Sequence, residues 1–161
     1  MFSDEIVIDD LPCEHLREIY QYWLKIKGPR HMPARADIKP KEIVSLLPHL
    51  SMIDVEHDPV RFRFRLVGTE TVRAMGMDVT GMYTDMNPAT EKLNKRYKWM
   101  LKNKQPYLYK SKLSWTERDF LDYYALAMPL SDNGEDINII LYGMHYTFPG
   151  LGERTTEIIL K

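Results

Sequence analysis

Apolar residues recur along the chain with two different periods, and the changes of period mark its elements. Leu16, Ile19, Tyr20, Trp23 and Ile26 fall three or four apart, the spacing of one helix face. Asp9, Asp10, Pro12 and Glu14 form an acidic, proline-bearing opening to that helix. Gly28-Pro29 closes it, glycine supplying a left-handed turn and proline blocking continuation. A stripe with two large aromatics must be buried, either on the rest of this chain or on a second copy.

From Leu50 the period shortens. LSMIDVEHD reads as a short strand, and RFRFRLVG alternates Phe62, Phe64 and Leu66 against Arg61, Arg63 and Arg65, with His57-Asp58-Pro59 as the turn between them. Thr69 is expected to cap a short helix through Val72 and Met75 that ends at Gly76. Asn87-Pro88 opens a longer helix carrying Leu93, Tyr97, Met100 and Leu101 on one face and Lys92, Lys95, Arg96, Lys98 and Lys102 on the other. Tyr107 to Trp115 alternates again, and a turn is expected over Glu117 to Asp119. Tyr123 to Leu130 is nearly all apolar, as a strand covered on both faces should be. Ser131-Asp132-Asn133-Gly134 is a turn, and Ile137 to Phe148 gives a last strand. Ile158 to Leu160 in the tail either pack or fray. Strands at both ends of the order with helices between predict an α+β fold built on an antiparallel sheet.

Between the first helix and the first strand lies GPRHMPARADIKPKEIVSLLPHL, residues 28–50. Four prolines, Pro29, Pro33, Pro40 and Pro48, fix its bends and push their predecessors towards extended backbone. Pro40 suits the start of a short helix that Pro48 ends, with Ile43, Leu46 and Leu47 as its apolar anchor. The segment reads as a strap across a domain. Arg35 and Asp37 are expected to clasp it by bidentate pairing.

Composition narrows the function classes. The length, 161 residues, and an apolar share of 44% suit one domain, divided as helix and strap over 1–50, core over 51–148 and tail over 149–161. A net charge of −1 gives no bulk reason to expect nucleic acid or an anionic membrane. One cysteine, Cys13, allows no internal disulfide, and the acidic N-terminus lacks a signal-peptide pattern. A cytoplasmic protein is the expectation.

Catalytic motifs are missing: no G-x-S-x-G, no phosphate-binding glycine loop, no H-E-x-x-H and no C-x-x-C. No catalytic residue and no metal site is expected, and no cofactor is assigned. Cys13-x-His15 beside Asp9 and Asp10 is the nearest approach to a metal cluster, and a helix start explains it better. His145 is the one candidate for a haem ligand, with a satisfied sheet histidine the favoured reading. The basic helix face is best read as solvated. The face carrying Arg61, Arg63 and Arg65 is either wet or meets carboxylates or an anion, Asp54 and Asp37 being the nearest candidates, and structural pairing is favoured over anion recognition.

Several words of the sequence resemble one known family. Trp23, Lys27-Gly28, MPARADIKPKEIVSLLPHL, RFRLVGTE, the G-x-D-x-T-G of Gly76, Asp78, Thr80 and Gly81, and MPLSDNG look like the bacterial PAS-type sensor domains marked by a PaR-D-xxP-x-I-xxLLP strap. The resemblance runs from about Leu16 to Tyr146 and departs at Gly28-Pro29, where an Arg-Gly pair is expected. It implies a five-stranded PAS-like antiparallel sheet with helices on one face, plus the N-terminal helix and the strap. It also implies a ligand space between the sheet and the small helices, lined here by Phe64, Met75, Tyr97, Met100, Leu101, Leu126, Met128 and Tyr142. The corresponding function is a non-enzymatic sensory domain that binds a small molecule or a signalling protein. The alternatives are a ligand-free interaction module with a filled core and a binder of a nucleotide second messenger. A homodimer through Leu16, Ile19, Tyr20 and Trp23 is the expected assembly.

Overall fold

In the computed structural model of the protein, residues 1–114 and 120–148 define the fold. Trp115, the turn expected over Glu117 to Asp119 and the tail lie outside these residues. The helical stripe becomes α1, Glu14–Lys27. Cys13 is its N-cap, and Gly28 ends it with φ 56°. The strap follows as three short 3-10 turns, Arg35–Asp37, Pro40–Glu42 and Val44–His49. Pro48 lies within the last of them instead of ending it.

The strands are β1 (Phe2–Ser3), β2 (Leu50–Glu56), β3 (Arg61–Leu66), β4 (Tyr107–Ser114), β5 (Phe120–Leu130) and β6 (Ile139–Thr147). Between β3 and β4 lie α2 (Thr69–Met75) and α3 (Glu91–Asn103). The sheet order is β1-β4-β5-β6-β2-β3, with every pair antiparallel. Five of these strands are the expected ones. The sixth, β1, is two residues long, too short to show a period in the sequence. Pairing to Leu108 and Tyr109 places it, and the Phe2 ring packs on Trp99 and Tyr107 at 4.9 and 5.1 Å.

The helix ends follow local chemistry. Asn87 Oδ1 accepts the Ala89 N–H at 2.9 Å, as a capping asparagine should, and Pro88 opens a 3-10 turn that leads into α3. The start of α2 differs from the expectation. Gly68, not Thr69, is its N-cap. A Cβ at Gly68 would sit 2.5 and 2.6 Å from the carbonyl oxygens of Leu50 and Pro48. Only glycine lets the chain pass that close to the end of the strap.

Both faces of the sheet are covered, by different layers. On one face α1 and the strap set Leu16, Ile19, Trp23, Ile43 and Leu46 against Leu50, Met52, Leu126, Met128, Leu130 and Leu141. The Trp23 indole N–H donates to the Pro129 carbonyl at 3.1 Å. Gly143 lets α1 lie low on β6, since a Cβ there would meet Ile19 and Leu16 at 3.1–3.2 Å. On the other face α3 sets Tyr97 and Met100 against Ile53, Val55, Phe62, Tyr107, Ile140 and Tyr142. Alternate residues of one strand therefore serve two separate cores.

The strap is tied at several points. The Lys39 N–H donates to the Tyr22 hydroxyl at 2.9 Å, and that hydroxyl donates to Glu42 at 3.2 Å. The Ser131 N–H donates to the Pro33 carbonyl at 2.9 Å. Ile43 and Leu46 are the buried anchors, whereas Leu47 is exposed. No helix among the described residues is long and apolar enough to cross a membrane.

Candidate functional site

The space expected to hold a ligand lies between α3 and the sheet, and tyrosines occupy it. Tyr97 and Met100 point in from α3, Tyr107 from β4 and Tyr142 from β6, all buried. The hydroxyls of Tyr107 and Tyr142 are hydrogen-bonded at 2.5 Å. Tyr97 meets Tyr142 edge-on at 5.8 Å and Phe62 at 4.9 Å. Burial pushes the Tyr107 phenol up to about 12 and raises Tyr97 and Tyr142 well above the ordinary tyrosine range. All three stay neutral at physiological pH. A buried phenol needs a partner for its polar tip, and the Tyr107–Tyr142 pair supplies one from within the chain.

Eight residues were expected to line that space, and the structure separates them. Tyr97, Met100 and Tyr142 do share the interior, with Phe64 and Leu101 partly buried at its edge. Leu126 and Met128 point the other way, into the core beneath α1. Ala125 and Ala127 take the inner face of β5 instead. A strand apolar on both sides has no alternation from which to read its facing. Met75 is 42% exposed on α2 and lines nothing inside.

Arg96 was read as part of a solvated basic face, yet it is half-buried. Its guanidinium lies 3.6 Å from the centroid of the Tyr109 ring. Its Nε is buried without a hydrogen-bond partner among the described residues. The other basic residues of α3, Lys92, Lys95, Lys98 and Lys102, are exposed as expected.

The arginine pairs are structural. Arg65 meets Asp54, one of the two carboxylates expected to serve the arginine stripe, at 3.2 Å, although the strand register sets Asp54 opposite Arg63. Arg61 binds both carboxylate oxygens of Asp85, at 2.7 and 2.9 Å, and lies 3.7 Å over the Tyr83 ring. Arg63 is exposed, 5.9 Å from the same ring. The Arg35–Asp37 clasp is corrected. Asp37 pairs with Arg30 at 2.8 Å and accepts the Ala34 N–H at 2.8 Å. Those bonds hold its carboxyl below the usual range, the Ala34 bond most. Arg35 is half-buried, and its Nε has no partner among the described residues. In a 3-10 turn Asp37 folds back on the backbone before it, which brings it to Arg30 at the end of α1.

The dimer stripe is corrected as well. Leu16, Ile19 and Trp23 are buried against this chain's own sheet, and only Tyr20 keeps appreciable exposure. The stripe finds its cover on β5 and β6, so a second copy cannot use it while α1 stays docked.

Two other features emerge from the tertiary structure. An open groove of about 820 Å³ runs between the C-terminal ends of α1 and α3 and the turn before β6. Tyr20, Trp23, Lys27, His31, Lys104 and Glu135 are among its walls. On the α1 face, Cys13, His15 and His145 bring their ligating atoms within 4.8 Å of one another. Cys13 Sγ is 3.4 Å from His15 Nε2, which is also 3.1 Å from the Met144 carbonyl. The His49 ring stacks on His15 at 3.9 Å. Burial lowers all three histidines, His15 to about 4, with the neighbouring His49 next in effect on it. Burial also raises the Cys13 thiol. The Cys13-x-His15 spacing was the one signal in the sequence. His49 and His145 come from the strap and the last strand, and nothing local connects them.

The G-x-D-x-T-G word is turn chemistry. Asp78 Oδ1 accepts the Thr80 N–H at 2.9 Å and its hydroxyl at 2.6 Å, and Gly81, at φ 87°, donates its N–H to the Phe64 carbonyl.

Among solved structures, a Rhodobacter sphaeroides LOV protein is similar at 11% identity, with a TM-score of 0.49 and 72% of each chain covered. A second solved structure, of RsLOV, gives 10% identity and a TM-score of 0.48 over the same shares. No curated protein matches the sequence. The family model described as PAS domain matches residues 13–142, from the cap of α1 to the tyrosine of β6. The chain therefore belongs to the PAS domain family.

Proposed function

We propose that this chain is a non-catalytic sensory or signal-transduction module whose PAS interior is filled by its own side chains, and which meets its partner or small molecule at the surface. The observation that carries this reading is the tyrosine interior. Tyr97, Met100, Tyr107 and Tyr142 are buried in the space where the family resemblance puts a ligand, and the Tyr107 and Tyr142 hydroxyls bond to each other. The strongly shifted phenols sit in that closed interior, away from any cleft that could place them against a substrate. The groove beside α1 and α3 offers the open surface, with a volume in the range of small-molecule sites.

Native mass spectrometry of the purified protein tests the reading. The expected spectrum shows the polypeptide, alone or as a multiple, with no organic adduct. An organic molecule retained in one-to-one ratio and lost from Tyr142→Ala would overturn it. The nucleotide-messenger reading has less support, since Arg61 and Arg65 already hold Asp85 and Asp54.

A further inference from the structure

We propose that Cys13, His15 and His145 form a metal site that takes Zn²⁺, with a solvent molecule as fourth ligand. The three residues come from two rigid elements. Cys13 and His15 occupy the cap and first turn of α1, and His145 stands on β6, which is paired to β5 and β2. Their ligating atoms lie within 4.8 Å of one another, and Cys13 Sγ to His15 Nε2 is already 3.4 Å. Tetrahedral zinc, with bonds of about 2.3 Å to sulfur and about 2.0 Å to nitrogen, sets its ligands roughly 3.3–3.6 Å apart. The cysteine–histidine edge of that tetrahedron therefore exists, and the His145 ligating atom lies within 4.8 Å of both its atoms.

The donor set selects the ion. One thiolate and two imidazoles suit borderline-soft zinc, whereas calcium and magnesium want oxygen ligands. The His145 ring makes no hydrogen bond among the described residues, so its nitrogens are free to coordinate. The His15 ring now shares Nε2 between Cys13 and the Met144 carbonyl. On binding, the Nε2–H contact to the Met144 carbonyl breaks as the imidazole proton passes to Nδ1, which frees the Nε2 lone pair for the ion, and the thiol releases its proton to solvent, leaving imidazole–zinc and thiolate–zinc bonds with no change of oxidation state. His49, from the end of the strap, stacks on the His15 ring and holds its plane. A bound ion would thus fasten the start of α1 to β6 next to the strap. The site lies on the face opposite the tyrosine interior and does not depend on how that interior is used.

Untagged full-length chain, stripped with a chelator and dialysed, is titrated with ZnCl₂ by calorimetry and, separately, with Co²⁺ by absorption. One ion per chain is expected, with thiolate-to-cobalt charge-transfer absorption. Cys13→Ser and His145→Asn should each weaken binding by about 100-fold, while His31→Asn, at the groove, leaves it unchanged. Metal-free urea midpoints of the variants show whether they fold. Absence of stoichiometric binding to the parent chain overturns the site. So does Co²⁺ binding without thiolate absorption, or unchanged Zn²⁺ affinity in the folded Cys13→Ser/His145→Asn double variant.

Discussion

The two faces of the sheet hold the chain together by different means. Beneath α1 the contacts are largely aliphatic, and the chief buried polar contact is the Trp23 indole on the Pro129 carbonyl. Beneath α3 they are aromatic, with three buried phenols, two of them hydrogen-bonded to each other. Aliphatic packing is non-directional and tolerates small shifts of a helix. A hydrogen-bonded tyrosine interior tolerates fewer, because each displaced hydroxyl must find another partner or remain unsatisfied. The α3 face is thus the better specified of the two. The α1 face depends on one helix staying docked over Gly143 and beneath the strap.

Replacing Trp23 by arginine should have the largest effect. It removes a fully buried indole and puts a charge in its place, at a cost of about 3–5 kcal/mol or more. Urea or thermal denaturation should show a large loss of stability. A variant that folds normally but changes only its solution mass would return the stripe to an intermolecular role.

The faces should also respond to opposite ends of the pH scale. Tyr107 has a folded pKa raised to about 12 from 10. Its stability contribution is complete below pH 10 and is lost as pH rises towards 12, about 2–3 kcal/mol over that window. In metal-free protein His15 has a folded value lowered from 6.5 to about 4. Its contribution is present above pH 6.5 and is lost as pH falls to about 4. The site is only half-buried, so solvent screening reduces this to about 1 kcal/mol. Urea midpoints measured across pH should fall at both ends. Tyr107→Phe should reduce the alkaline limb, with Tyr97, Tyr142 and Tyr146 supplying the rest, and His15→Gln should reduce the acid limb, to which His49 and His145 also contribute. A limb left wholly unchanged by its substitution would break the assignment of that residue.

Tyr142→Phe sharpens the comparison on the α3 side. It strands the Tyr107 hydroxyl and should cost about 1–2 kcal/mol. Adding Tyr107→Phe removes the orphan, so the double variant should lose less than the sum of the singles. Additive losses would mean that the hydroxyls are not coupled. The smallest effect is expected in the strap, where Asp37→Ala removes an exposed ion pair and a backbone bond for about 1 kcal/mol. Arg35→Ala, which breaks neither, should lower the melting temperature less than Asp37→Ala. The reverse order would restore the Arg35 clasp.

Much of this architecture was legible before folding. The α1 stripe, the β2–β3 alternation, Asn87-Pro88 and the glycine stops are local signals, and each element stands where they put it. Asp54 was legible as a carboxylate for the arginine stripe, but not that Arg65 would take it, since the register sets it opposite Arg63. The candidate site was legible only where a period existed. Tyr97 and Met100 lie on a helix face and were found. Leu126 and Met128 lie on a strand without alternation and were assigned to the wrong side. Arg96 was lost among lysines because the sequence does not show which member of a basic run an aromatic sheet will cover.

The sequence by itself determined the antiparallel sheet and the position of the strap, because period, proline placement and turn chemistry act over a few residues at a time, while the family followed from the resemblance of its words to a known one. Only the tertiary structure decided that α1 is covered by its own sheet, that Arg30 and not Arg35 holds Asp37, and that the interior is filled with tyrosine. It alone brought His145 and His49 to the Cys13-x-His15 pair. These outcomes depend on residues far apart in the chain meeting across packed layers, and no local pattern records such a meeting.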